Sequence, residues 1–479
     1  MIRKINWIVI AGVMMVALSC KKQLAEINKN PNATEDPQPD YLLTASQKIT
    51  ADLYWGLDNN FNSTLLIIQH WAKIQYTEPD RYIFSNSSFT SLWNTAYAQS
   101  ITNLNTIIKL PDEKANVNYK NVALILRSWV FSLLTDAYGD IPYKQAGDIK
   151  TSLTPAYDTQ KDVYFGLLDD LKNAAAALTT TGNTIVGDVI YSGKIDRWKK
   201  FANALRLRIA LRIADREPEK AKQTIADVLA DAGGLISSNA ETAQFVYSIS
   251  PQQNPISAWF DNRDEYRIAK TLLDKLTAVN DPRIPVYANK PTDVTVTNYV
   301  GVPSGLTTSD ANNLGLAKTS RPGSYFFAPA APAVIITYAE VLFARAEAAA
   351  RGFTTEDANA LYKAAITASL NQYGITDATT INNYLGQSGV QYDAANFKKS
   401  IGEQKWIALY GQGLEAFAEW RRLDYPQLTP AIAGVLDKNI PVRFIYPGSE
   451  QTLNADNYRI AVTNQGTDNL LTKLWFDRY

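Results

Sequence analysis

One cysteine, Cys20, is all that this chain of 479 residues offers for covalent cross-linking, and it stands at the end of a leader. Met1-Ile2-Arg3-Lys4 is a short basic start, Ile5 to Leu18 is apolar apart from Asn6, and Ala17-Leu18-Ser19-Cys20 closes the stretch. A charged start, an apolar run of roughly a dozen residues and small residues at a cut site make a secretory signal. The run is too short to span a bilayer, which takes about 20 residues. A cysteine directly after Leu-Ser fits a bacterial lipoprotein signal, in which the thiol is diacylated. The expected order is a signal peptide at 1–19, a lipidated tether and lead-in at 20–40, and one folded domain at 41–479. Lys21-Lys22 after the cysteine, in place of an aspartate, favours the outer membrane. Once Cys20 is acylated no disulfide is available, and thiolate nucleophiles and cysteine metal sites go with it. The fold must be closed by packing alone.

Charge excludes a further set of functions. There are 47 basic and 47 acidic groups, and removal of the leader with Arg3 and Lys4 leaves a slight acidic excess. Nucleic acid binding needs a basic excess or patch to neutralise phosphates. His70 is the only histidine. A Ser-His-Asp triad would have to use it, yet it lies between Ile67-Ile68 and Trp71 in an apolar helical run, the setting of a packed core histidine. Histidine-rich metal sites cannot be built. No EF-hand spacing and no phosphate-cradling glycine loop occurs, so no metal or cofactor is expected.

Periodicity points to helices. From Asn121 to Ala137, Val122, Ile125, Leu126, Trp129, Val130, Leu133 and Leu134 recur at helical spacing. The run stops at Tyr138-Gly139-Asp140-Ile141-Pro142, where glycine permits a left-handed turn and proline forbids continuation. Trp198 to Ile213 reads as helix by its length, its alanines and a helical continuation through 217–229. Arg206, Arg208, Arg212 and Arg216 spread around it as a solvated face. From Val334 to Gly374 a helix ends at Gly352, and Thr354 with Asp357 three residues on predicts the cap of a second helix. This alanine-rich hairpin of about 40 residues has the size of a tetratricopeptide-type unit. Residues 21–40 are polar and proline-rich, while 236–262 and 284–333 are rich in Ser, Asn, Thr, Gly and Pro. Long loops in a compact domain are usually functional.

Several blocks together carry a family resemblance. They are the lipoprotein start with NKNPN at 28–32, DAYGDIPY at 136–143, WKKFANALRLR at 198–208, and TYAEVLF at 337–343 with AEA at 346–348. QKWIALYGQGLEAFAEWRR at 404–422 is followed by IPVRF at 440–444, YP at 446–447 and SEQ at 449–451. In this order, over essentially the whole chain after the leader, they resemble SusD/RagB-type nutrient-binding outer-membrane lipoproteins. The resemblance implies a mainly α fold, a right-handed α-helical scaffold with tetratricopeptide-like helix pairs and long irregular loops on one side. It also implies a cell-surface lid over a SusC-like TonB-dependent outer-membrane barrel. Such proteins capture oligosaccharides, or in some branches oligopeptides, and are not enzymes. The matching blocks are scaffold helices, whereas ligand contacts in this family lie on variable loops.

Sugar capture needs aromatic faces for C–H groups and planar polar side chains for hydroxyls, and ten Trp, 26 Tyr and 16 Phe supply the first. Four clusters qualify: Tyr54-Trp55 with Asn59-Asn60; Trp71, Tyr76, Arg81, Tyr82 and Phe84; Trp259 with Asp261, Asn262, Arg263 and Tyr266; and Arg321 with Tyr325-Phe326-Phe327. The last two are favoured because they are loop-borne. The expected ligand residues are Trp259, Asn262, Arg263, Tyr266, Arg321, Tyr325, Phe326, Trp55 and Tyr76. Trp93, Trp129, Trp198, Trp406 and Trp420 are assigned to the core. A glycosidase, the rival class, needs two carboxylates roughly 5–10 Å apart across a bond. Glu415 and Glu419, about 6 Å apart along one helix, share one face with Arg422 nearby and read as an ion-pair set. Asp264-Glu265 reads as a solvated pair.

Overall fold

The computed structural model describes residues 36–147 and 152–477, so the leader and Cys20 lie outside the described residues. Contacts group Pro39–Tyr479 as one compact unit. Its body is helical. The helix Val117–Tyr138 begins where the side-chain oxygen of Asn116 accepts the N–H groups of Asn118 (3.0 Å) and Tyr119 (3.3 Å), orphan donors that a helix start always leaves. It ends at Gly139, whose φ of 90° and closeness to Gln465 exclude a side chain. This helix packs on Gln160–Ala177, that helix on Ile195–Arg212, and that one on Pro218–Ala230. Such a succession of neighbouring helices is the tetratricopeptide-like part of the fold. The helix at Trp198 stops earlier than the sequence suggests. A turn at 213–217 intervenes and Pro218 opens a new helix, the position where its missing N–H costs nothing.

The hairpin consists of Tyr338–Ala350 and Ala358–Gln372, with Gly352 (φ 71°) after the first helix. The cap of the second helix is Asp357, not Thr354. Its carboxylate takes the N–H groups of Asn359 (2.9 Å) and Ala360 (3.0 Å), leaving Thr354 in the preceding turn. Four short strands occur among the described residues: β1 (Trp71–Lys73), β2 (Ala243–Val246), β3 (Tyr266–Ile268) and β4 (Pro332–Ile336). β1 pairs antiparallel with β3, with Lys73 opposite Tyr266, and β2 pairs antiparallel with β4. The second ladder ties the loop-rich stretch 236–262 to the end of the stretch 284–333.

The arginines of Ile195–Arg212 are the main correction. Arg206, Arg208 and Arg212 are buried, because other segments cover this helix on every side from Phe201 to Arg212; of the four only Arg216 is exposed, over the Trp475 ring. Arg208 donates to Glu340 (2.7 Å). Arg212 donates to Glu415 (2.9 Å), Asp136 (3.1 Å) and Glu419. Lys405 and Arg422 each reach Glu419 at 2.7 Å, and Arg422 continues to Glu347 (2.6 Å). Burial alone would raise the Glu419 carboxyl, but Arg422, Lys405 and Arg212 hold it well below the usual carboxylate range. Glu415 and Glu419 are therefore the ion-pair set that their spacing suggests, and neither faces a cleft. His70 is a core residue: its Nε2 donates to the Trp406 carbonyl (3.0 Å), and burial depresses it to about 3.

Candidate ligand-binding surface

Beyond β1 the chain passes Tyr76 and enters a turn at Pro79–Arg81. Tyr76 has φ of 52° and its side chain is 57% exposed. A left-handed backbone costs a non-glycine residue about 1 kcal/mol or more and persists only where the surroundings impose it. They do so here. Buried Asp80 accepts the N–H of Lys73 (3.0 Å), Thr77 meets Thr308 (3.1 Å), and Arg81 Nε donates to the carbonyl of Ala433 (2.9 Å). Burial pushes the Asp80 carboxyl up to about 7. The ring of Tyr76 is thus presented by a turn fixed before any ligand arrives.

Asn254 caps the short helix Pro255–Phe260 through its bond from Ile256 N (2.8 Å). This helix carries Trp259 and Phe260 to the same region. Trp259 is half-buried, and its Nε1 donates to Glu265 Oε1 (3.1 Å), which also meets Lys73 Nζ at 3.3 Å. The Arg263 guanidinium lies 5.3 Å from the Trp259 ring and 5.4 Å from the Tyr76 ring. Both contacts fall within cation–π range. Behind them Phe260 stacks on Phe327 at 5.1 Å, and Arg321 lies 4.9 Å from each ring with Nε 3.0 Å from Asp264 Oδ1. The two loop clusters read from the sequence are therefore joined, and Tyr76 of a third joins them. Asn262 is exposed in the turn that follows Trp259. Tyr325, 39% exposed, takes its ring contacts from Phe326 and from Tyr373 after the hairpin.

Three expected residues lie in the core. Trp55 is 2% exposed and donates to the carbonyl of Val334 (3.2 Å), while Asn60 beside it holds Gly411 and Gly413. Tyr266 is buried under Phe61 and bonds Asn62 (2.9 Å). Phe326 is buried edge-on against the stacked rings of Tyr287 and Tyr410. None of the three offers a face to a ligand. The Asp264-Glu265 pair also divides: Asp264 stays at the surface, and Glu265 is 2% exposed. Glu265, Lys73 and Phe260 are support residues that the sequence reading missed. Glu265, Tyr266, Arg267 and Ile268 are all buried, so both faces of β3 are covered and no alternation marks them.

The surface joins flat aromatic faces, a planar cation, the Asn262 amide and the Asp261 carboxylate, a set suited to a ring with polar edges. A helical scaffold that displays such a patch on short ladders and turns is a binding scaffold. The chain belongs to the SusD-like family described as starch-binding and associating with the outer membrane, which matches residues 31–447. Among solved structures it resembles a chitin-binding protein at 28% identity over 92% of this chain and 100% of that one, with a TM-score of 0.82. A SusD homologue from Bacteroides uniformis is 26% identical over 92% and 100%, also with a TM-score of 0.82. A chitin-binding SusD homologue from Flavobacterium johnsoniae, 24% identical over 91% and 98% with a TM-score of 0.82, shares the fold. No curated protein matches the sequence. Among the described residues no helix is long and apolar enough to cross a membrane.

Proposed function

We propose that this chain is a non-catalytic receptor of the cell surface that captures oligosaccharides and hands them to a SusC-like TonB-dependent barrel. In this reading 1–19 is the leader, Cys20 carries the lipid, 20–40 is the tether and 41–479 the binding domain. The observation that carries the proposal is Tyr76, an exposed ring held at positive φ beside Trp259 and sharing the Arg263 guanidinium with it. A sugar ring lies on the aromatic faces, and its hydroxyls exchange water for Arg263, Asn262 and Asp261. Each such bond replaces one to water, so affinity is modest and rests on stacking. The chitin-binding relatives favour a glycan over a peptide.

The test is calorimetric titration of the full chain with chito-, malto- and xylo-oligosaccharides and with tryptic peptides. Expected is binding to at least one glycan, lost in Trp259→Ala while the melting temperature stays within about 2 °C. Affinity for peptides alone would overturn the glycan assignment, and release of shortened sugars would overturn the non-catalytic one. Loss of melting temperature with binding intact would return Trp259 to the core.

A further inference from the structure

A groove of about 770 Å³ opens between the helix Lys270–Ala278 and the segment 298–301, and none of the aromatic residues of the Trp259 surface lines it. Its volume falls in the range of small-molecule sites. The floor is buried Leu273 with half-buried Ile284, exposed Pro285 stands at the edge, and Tyr299 is half-exposed at one wall. Thr277, Asn280 and Asn298 are exposed on the rim. Lys270 and Asp274 also border it and pair with each other at 2.6 Å, buried Asp281 is held by Arg283, and the Lys290 ammonium lies 5.9 Å from the Tyr299 ring. Gly301 permits the narrow wall, since a Cβ there would lie 2.7 Å from the Cα of Lys270.

An extended peptide binds a groove best by pairing with a free strand edge. Val300 and Val302 are engaged, which leaves at most Tyr299 and Gly301 on this wall, too short an edge to seat a strand. Val300 N donates to Ser320 Oγ and Val300 O accepts from Ser320 N; Val302 N donates to Ile268 O and Val302 O accepts from Lys270 N. What remains is an aromatic face, an apolar floor and a rim of one hydroxyl and two amides. The geometry points to a second saccharide site, taking a short neutral oligosaccharide with one ring against Tyr299 and hydroxyls toward Thr277, Asn280 and Asn298. Ser320, which fixes Val300, directly precedes Arg321 of the first surface, so one loop supports both sites. This inference rests on the glycan reading above.

The full chain, its Trp259→Ala variant, and the doubles Trp259→Ala/Tyr299→Ala and Trp259→Ala/Thr277→Trp are titrated with the same neutral oligosaccharides, with melting curves to certify folding. Expected is a weak residual site in Trp259→Ala that loses at least tenfold in affinity in either double variant. Thr277→Trp fills the groove from an exposed helical position, so it reports even if Tyr299→Ala disturbs the wall. Binding by the unmodified chain that vanishes in Trp259→Ala overturns the second site alone. Residual binding indifferent to both second substitutions overturns it as well. Failure of the unmodified chain to bind any of these sugars overturns the first reading and this one together.

Discussion

Glu419→Gln tests whether the buried charges hold the helical body together. Glu419 accepts from Lys405, Arg422 and Arg212, and the side chains of all four are at most 4% exposed. Arg212 and Arg422 keep other carboxylates, Glu415 and Glu347, but Glu419 is the one carboxylate paired with the Lys405 ammonium among the described residues. The variant therefore strands a buried cation, a change that costs about 3–5 kcal/mol. For a unit of about 440 residues, about 2.1 cal/mol/K per residue gives an unfolding entropy near 0.9 kcal/mol/K, so the melting temperature falls by about 3–5 °C. The loss is read by scanning calorimetry at pH 7 and persists at 1 M salt, because buried pairs are poorly screened. Glu419→Gln/Lys405→Met removes both members and recovers part of the loss. A shift below about 1 °C, or a double variant as unstable as the two losses added, would refute the argument. The pH dependence has a defined sign. The Glu419 carboxyl is lowered on folding, so its stabilisation is present above about pH 4.5 and is lost as pH falls through the lower folded value; Glu419→Gln lacks that acid loss.

Tyr76→Asn keeps a residue that tolerates positive φ but removes the ring, so affinity for the bound glycan falls about tenfold while the melting temperature holds or rises by up to about 1 °C; unchanged affinity on titration would remove Tyr76 from the surface. His70 is depressed to about 3 by burial, so the unfolded chain takes up a proton below about pH 6.5 that the folded chain refuses, and stability falls with pH through that window. At pH 5 this amounts to about 2 kcal/mol. The gap in melting temperature between the unmodified chain and His70→Gln should narrow by about 2 °C from pH 8 to pH 5, and a constant gap would contradict the burial argument.

Helix ends marked by glycine were legible in the sequence because they are local chemistry: Gly139, Gly352 and Gly374 punctuate as glycine must, whereas the break before Pro218 was read through as one continuous helix. Partners far along the chain were not. Arg208 and Arg212 read as solvated because nothing within their own helix reveals that Glu340, Glu415 and Glu419 cover it. Trp55 and Trp259 each stand near asparagines and look alike. What separates them is a bond from Trp55 to Val334, 279 residues away, against a bond from Trp259 to Glu265, six residues away. The loop clusters at Trp259 and Arg321 could be chosen by composition, but their joining through Phe260, Phe327 and Asp264 could not, since it depends on how β3 is pinned.

The pairing of β1 with β3 also bears on the order of folding. Lys73 and Tyr266 face each other across 193 residues of chain, a contact of high sequence separation that carries a large loop-closure cost and forms slowly. Tyr76 follows one strand and Trp259 precedes the other, so the two rings come to share Arg263 only once the chain between them has folded. Ligand capture is thereby a late property of the chain. A truncated or half-folded molecule has the aromatic residues but not the surface, and glycan binding measured during refolding serves as a clock for completion of the whole structure.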